Sequence, residues 1–198
     1  MASGFENLLG ALLKQGLANP RLLEGVAKKF GLGDLLANLG GQGGLAGALG
    51  GLMGQGGGGK GANPLDLINQ LAGGGQAPAH DPDERAKALL LAMILAAKAD
   101  GKLGPEETER ILAKLDETQA DPEVRAYVYK AMAEAEDPAP LIEAGKRDPA
   151  LAREIFAASL LAIRVDTPAE SRYLGELARG LGLDRAEVER ILAQAGLA

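Results

Sequence analysis

Acidic residues beside two similar turns are the side chains of this sequence best placed to do chemistry. The sequence contains a near-repeat, with one copy over Ala88–Glu107 and the other over Ile155–Glu170. Each copy is an apolar stretch that ends in Asp, followed by a short turn, a Pro and a Glu that opens the next helix. The pattern predicts two similar helical hairpins packed together. The carboxylates at their turns belong to Asp100, Glu106, Glu107, Asp166 and Glu170.

The simplest interpretation of these acids is structural. Glu107 and Glu170 fall in first helical turns, where the helix dipole favours anions. Asp100-Gly101 fits an ordinary helix C-terminal turn, with the glycine supplying a positive φ. Paired carboxylates can also do acid–base chemistry when burial separates their pKa values, but acids at turns should be partly exposed. Because the sequence shows no nucleophile-plus-base pair and no cofactor motif, we expect that the protein is not an enzyme.

The amino-acid composition excludes several other kinds of functional site. The 198-residue chain contains no Cys, and His80 is its only His. Disulfides, thiolate metal sites and cysteine nucleophiles are therefore excluded. A metal site with several His ligands cannot form within one chain.

The two halves of the sequence differ in glycine content and in charge. Residues 1–79 hold 22 of the 29 glycines, whereas residues 80–198 hold 23 of the 27 acidic residues. The C-terminal half has 16 Lys and Arg against those 23 acids, which gives it a net charge of −7. Because an acidic domain repels a phosphate backbone, we expect no nucleic-acid binding.

Helix signals dominate the sequence, and no strand pattern is present. Asp-Pro pairs, typical of an N-cap followed by the first helical residue, occur at 81–82, 121–122, 137–138 and 148–149. Together with other caps they predict helices over 82–99, 105–118, 122–134, 138–145, 149–165, 168–181 and 185–195. The short connections are typical of a compact bundle. We therefore predict an all-α fold, a compact bundle of about seven helices built from two related hairpins.

The same signals divide the chain into three segments. Residues 1–39 are predicted to form an amphipathic helical segment, and residues 81–198 a helical domain. Residues 40–80 between them are predicted to be a Gly-rich linker with a short helix near 64–72. Each glycine destabilises a helix by roughly 1 kcal/mol relative to alanine, which favours a flexible linker over 40–62. The domain boundary is placed at residues 73–80.

Apolar stripes in the first segment are candidates for contact with a partner or a membrane. Apolar residues recur there at helical spacing. They are Phe5, Leu8, Leu9, Leu12, Leu13, Leu22, Leu23, Val26 and Phe30. An interfacial membrane helix, or a helix that docks into a partner's groove, would use such a stripe. The alternative is that these helices pack on themselves or on the C-terminal bundle.

The two turns resemble a known family. A helix, Lys98-Ala-Asp-Gly101, a short turn and Pro105-Glu-Glu107 resemble the TerB-like domain family, which is linked by name to tellurite resistance. The later run SLLAIRVDTPAESRYL, at 159–174, makes the likeness closer to the uncharacterised TerB-related family of bacterial inner-membrane and envelope proteins. Those proteins pair a Gly- and Leu-rich N-terminal region with a TerB-like C-terminal domain. The resemblance covers residues 81–198 well and implies an all-α fold with two related hairpins.

The resemblance also implies a divalent-metal site built from the acids at the turns. Carboxylate oxygens suit hard cations, so Ca²⁺, Mg²⁺ or Mn²⁺ would be the ion. Family members often carry an apolar stretch long enough to enter a membrane. Here glycines interrupt that stretch, and no run reaches the ~18 apolar residues that span a bilayer.

These observations lead to one leading hypothesis and two alternatives. The leading hypothesis is a non-enzymatic interaction or adaptor module, an acidic TerB-like bundle tethered to an amphipathic N-terminal anchor for a membrane surface or a protein partner. The first alternative is a divalent-metal-binding stress-response protein of the tellurite-resistance type. The second is a self-assembling structural protein that forms homo-oligomers. We expect a bacterial cytoplasmic location, peripheral on the inner membrane, because no signal peptide is evident.

Overall fold

A computed structural model describes residues 3–14, 63–74, 79–99, 103–134, 137–163 and 168–195, without the side chains of Lys14, Glu106, Glu107 and Arg110. The described residues form nine helices and no strand, which confirms the predicted all-α bundle. The helices are α1 (Gly4–Lys14), α2 (Pro64–Leu71), α3 (Pro82–Ala97), α4 (Pro105–Glu117), α5 (Pro122–Ala133), α6 (Ala139–Arg147), α7 (Pro149–Ala162), α8 (Pro168–Leu181) and α9 (Arg185–Gln194). The seven helices predicted beyond residue 81 are α3 to α9, and their ends lie within three residues of the predicted ends.

Side-chain caps set the starts of these helices where the sequence indicated. Asp81, Asp121 and Asp148 each accept a hydrogen bond from a backbone N–H two or three residues further on. A proline follows each of these caps, because its fixed φ suits the first helical position and its missing N–H is not needed there. Asp184 and Glu187 form a capping box at the start of α9.

Two buried helices, α3 and α7, form the centre of the bundle. Both are apolar around most of their circumference, as expected for helices covered on all sides. They pack against each other more extensively than any other pair of described helices. They run parallel, since Arg85 in the first third of α3 contacts Glu154 just before the middle of α7. About two helical turns later along α3, the Ala92 carbonyl lies 3.4 Å from Ser159 Oγ.

A buried ion pair joins the two central helices and fixes α2 on them. Glu154 has no exposed surface, and Arg85 is 6% exposed. Arg85 Nε donates to Glu154 Oε2 at 2.6 Å, and Nη2 donates to Glu154 Oε1 and, at 3.0 Å, to the Leu65 carbonyl. Burial raises the pKa of Glu154, while the guanidinium opposes that rise by favouring the ionised form. Three helices are therefore linked through one desolvated pair of charges.

The helices α1 and α2 share the core of the C-terminal bundle. α1 packs on α2, α3 and α4, and α2 also packs on α7. Gly10 permits the close approach of α1 to α2, because a Cβ at that position would lie 2.7 Å from Pro64 Cγ. The boundary predicted at residues 73–80 therefore does not separate two cores. The predicted linker over 40–62 lies outside the described residues.

Removing one partner of the buried pair should destabilise the bundle strongly. Glu154→Ala leaves the Arg85 guanidinium buried without its carboxylate, and breaking such a pair costs about 3–5 kcal/mol. The double variant Arg85→Met/Glu154→Leu removes both charges at similar volume, so it should recover most of that loss. Urea unfolding followed by circular dichroism measures the three free energies. A double variant as unstable as Glu154→Ala would contradict the view that the uncompensated charge causes the loss.

Asp148 ties the segment before α3 to the start of α7. Its Oδ1 accepts from the backbone N–H of Ala150 at 2.9 Å and of Leu151 at 3.2 Å. Its Oδ2 accepts from the Ala79 N–H at 3.0 Å and lies 3.2 Å from His80 Nδ1. Burial opposes ionisation of this carboxyl, but the backbone hydrogen bonds outweigh it and hold the pKa of Asp148 below its usual range.

Protonation of Asp148 in acid should therefore lower the free energy of unfolding. Because the pKa of the folded state lies below the usual 3.8, its contribution is present above that value and is lost as the pH falls through the folded-state pKa. In Asp148→Asn, the free energy of unfolding should fall less steeply as the pH is lowered, because the carboxyl group is absent. Thermal unfolding of both proteins from neutral pH into the acid range measures the difference. Identical acid slopes in the two proteins would show that another group is responsible.

Candidate functional site

The ends of the two central helices lie together at one end of the bundle. Ala97 is the last residue of α3 and Ala162 is the last residue of α7. Both line the same cavity, as follows from the parallel packing of the two helices. The two turns of the near-repeat therefore start at the same end of the molecule. A site shared by two hairpins requires this arrangement.

The structure describes the five predicted metal ligands only in part. Asp100 and Asp166 lie outside the described residues. Glu106 and Glu107 belong to the first turn of α4, but their side chains are not described. Glu170 lies in the first turn of α8 and is half-buried. Among the side chains that are described, no group of three or more His, Cys, Asp or Glu could hold a metal ion, so the ligand set stays a prediction.

An apolar cavity lies beneath the two helix ends. It is lined by Leu8, Leu12, Leu90, Met93, Ile94, Ala97, Ile111, Val128 and Ala162. Its volume is about 20 Å³, which is room for roughly one water molecule. A buried water needs polar partners, and none of the lining side chains offers one, so the cavity is a dry gap in the packing. Polar chemistry at this end of the bundle therefore belongs to the turns.

Lys98 fixes the base of the first turn. It is the C-cap residue of α3, and its ammonium donates to the backbone carbonyls of Ala131 at 3.1 Å, Met132 at 3.2 Å and Glu134. These carbonyls form the end of α5, where the helix dipole is negative and favours a cation. Sequence reasoning missed this role, because the partners of Lys98 are backbone groups more than 30 residues away. The only sequence signal that could have pointed to Lys98 is its position two residues before Asp100.

A small polar layer lies between the central helices and α8. Ser159 is fully buried, with its Oγ 3.4 Å from the Ala92 carbonyl. Burial raises the pKa of Tyr173 on α8 to about 12, and the neighbouring Ser159 hydroxyl opposes that rise, although Tyr173 Oη has no hydrogen-bond partner among the described residues. A phenol with this pKa is neutral at physiological pH, so the layer supports packing rather than proton transfer.

The first apolar stripe of the N-terminal segment is buried within the molecule. Phe5, Leu8, Leu9 and Leu12 are at most 3% exposed, and Leu13 is partly buried against the same core. This placement matches the intramolecular alternative for these residues, not contact with a partner or a membrane. The second stripe, which comprises Leu22, Leu23, Val26 and Phe30, lies outside the described residues.

Withdrawing the first stripe from the core would be costly. Each such side chain contributes about 1.5–3 kcal/mol on burial, so four of them contribute roughly 6–12 kcal/mol before opposing terms. That sum is comparable to the whole free energy of unfolding of a typical domain. In the part of the chain that the structure describes, no helix has both the length and the apolarity needed to cross a bilayer.

A protein-family model matches most of the chain. The model of a family described as a protein of unknown function, DUF533, matches residues 8–195. The match includes most of α1 and the whole of the bundle, in agreement with the shared core. No curated protein and no solved structure matches the chain.

Loss of the Lys98 ammonium should loosen the junction between α3 and α5. Lys98→Met removes charge-assisted hydrogen bonds to three carbonyls at a half-exposed site, so the free energy of unfolding should fall by about 1–2 kcal/mol. Lys130→Met is the matched control, because Lys130 on α5 is 63% exposed and makes only a 4.0 Å ion pair with Glu134. Its effect should stay below about 0.5 kcal/mol. Equal losses in the two variants, measured by urea unfolding, would contradict the assignment.

Proposed function

The chain belongs to the DUF533 family, and we propose that it is a non-enzymatic, TerB-like helical module whose paired acidic turns bind a divalent cation. The observation that carries this proposal is the parallel packing of α3 and α7, which puts Ala97 and Ala162 at one cavity. In this proposal the turns that follow these two residues would supply the carboxylates of one shared site. The TerB-like part of the proposal rests on the two motif turns in the sequence.

The chemistry of the turns suits a hard cation. The proposed ligands are the carboxylates of Asp100, Glu106, Glu107, Asp166 and Glu170. Carboxylate oxygens are the ligands that Ca²⁺, Mg²⁺ and Mn²⁺ favour in proteins. Two acidic turns at one end of a bundle repel each other, and a divalent cation between them would remove that repulsion.

The position of the first apolar stripe is the reason for ranking cation binding above an N-terminal anchor. Phe5, Leu8, Leu9 and Leu12 stabilise the core and are not available for docking in this fold. A docking role on a membrane surface or a protein partner belongs in this proposal to the second stripe, Leu22, Leu23, Val26 and Phe30. The support for that second role is the amphipathic spacing alone.

Calorimetric titration of the full-length chain with CaCl₂, MgCl₂ and MnCl₂ tests the cation site. The full chain is needed because α1 and α2 share the core of the bundle. We expect micromolar binding of at least one cation, weakened at least tenfold in Asp100→Asn/Asp166→Asn. The reason is that a lost carboxylate removes both a ligand and its charge.

The matched control is Asp66→Asn/Asp116→Asn. It changes the net charge by the same amount at two exposed acids, one on α2 and one near the end of α4. Cation affinity should be unchanged in this variant. Absence of binding by the wild type, or equal weakening in both double variants, would overturn the cation site. The turn acids would then be helix caps, and the second stripe would become the leading candidate for function.

A further inference from the structure

The two hairpins of the near-repeat are held closed in different ways. In the second hairpin α8 packs directly on α7, and it also packs on α6 and α3. In the first hairpin α4 packs more extensively on α1 than on any other described helix. α1 therefore packs on both helices of the first hairpin, α3 and α4. The two helices of the second hairpin, α7 and α8, pack directly on each other.

Side chains of α1, α3 and α4 meet at one junction. Leu8 and Leu12 of α1 line the dry cavity together with Ile111 of α4 and Leu90 of α3. Leu8 has no exposed surface, and Ile111 is 4% exposed. Ile111 of α4 thus meets α1, α3 and α5 at this cavity. Arg125 of α5 also contacts the end of α4, through the Leu115 carbonyl and Asp116.

The N-terminal end of α1 is fastened to α3 and α5. The Phe5 ring meets the Tyr127 ring edge-on at a centroid distance of 5.4 Å, and the Lys87 ammonium lies 4.7 Å from the Phe5 centroid. The same ammonium pairs with the carboxylates of Asp83, Glu84 and Glu123. Burial opposes the charge of Lys87, but these carboxylates raise its pKa. α1 is therefore anchored on the body of the bundle and carries α4 on its other side.

We infer that α1 is a strut that holds the first hairpin closed. When α1 leaves its place, α4 loses its main packing partner, whereas α8 stays packed on α7. Glu106 and Glu107 of the proposed cation site belong to the first turn of α4, so α1 also acts on that site, a consequence that rests on the proposed function. By linkage, a ligand that draws α1 away lowers cation affinity by the same factor as the cation lowers affinity for that ligand.

Hydrogen exchange measured by mass spectrometry on the full-length chain tests the strut. Ile111→Val removes one methylene from the face of α4 that meets α1, and Ile191→Val makes the same change at an equally buried site on α9. We expect Ile111→Val to speed exchange about two- to tenfold in both α4 and α1, and to leave α8 and α9 unchanged. Ile191→Val should speed exchange in α9 and leave α1 and α4 unchanged. The strut is refuted if α1 keeps its protection in Ile111→Val, or if α8 loses protection by the same factor.

A second variant changes the α1 side of the same contact. Leu8→Ala should speed exchange in α4 more than in α8, and if this larger change prevents folding, the comparison of the two Ile→Val variants stands by itself. Exchange repeated with CaCl₂, MgCl₂ or MnCl₂ separates the two proposals. Slower exchange in both α4 and α1 supports the control of the cation site by α1. An exchange pattern that couples α1 with α4 but does not respond to any cation would sink the cation site and leave the strut intact.

Discussion

The buried pair of Arg85 and Glu154 is the interaction on which the orientation of the whole bundle depends. Two apolar helices such as α3 and α7 can bury their surfaces in either orientation, because apolar packing has no direction of its own. Arg85 lies in the first third of α3 and Glu154 just before the middle of α7, and the parallel orientation brings the two into contact. In an antiparallel orientation with the helix centres level, the two positions would be roughly 9 Å apart along the axis, which would separate two buried charges. We infer that the ion pair selects orientation more than it adds stability.

Parallel central helices have a direct consequence for function. Both turns of the near-repeat follow helices that finish at one end of the bundle. Lys98, the C-cap residue of α3 before the first turn, is held by the carbonyls at the end of α5. In the proposed function, carboxylates from the two turns would bind a divalent cation at this end. The apolar, dry cavity beneath the helix ends contributes no ligand.

The near-repeat in sequence does not produce a symmetrical structure. The second hairpin is closed by direct contact between α7 and α8, whereas the first is completed by α1, a helix from the other end of the chain. The second turn is therefore held by local contacts and the first by a distant one. This difference gives the N-terminal region a way to act on one half of a paired site without disturbing the other half.

The sequence by itself determined which residues are helical and where most helices begin. Asp caps followed by Pro act within one helical turn, so their effect can be read from a few adjacent residues. The sequence did not determine the role of the stripe at Phe5, Leu8, Leu9 and Leu12. An amphipathic stripe requires burial but does not name the surface that provides it, and here that surface is the core of the same chain.

Only the tertiary structure decided the long-range polar contacts. Arg85 pairs with a residue 69 positions away, and Lys98 binds carbonyls 33 to 36 positions away. Such contacts depend on how helices are oriented, and no local pattern encodes that orientation. The acids at the turns could be found from the sequence because they recur in similar surroundings, whereas the parallel packing that brings the ends of α3 and α7 together could not. Residue type and spacing thus fix local conformation, while partners distant in sequence are fixed by the burial of charges and apolar faces in the folded chain.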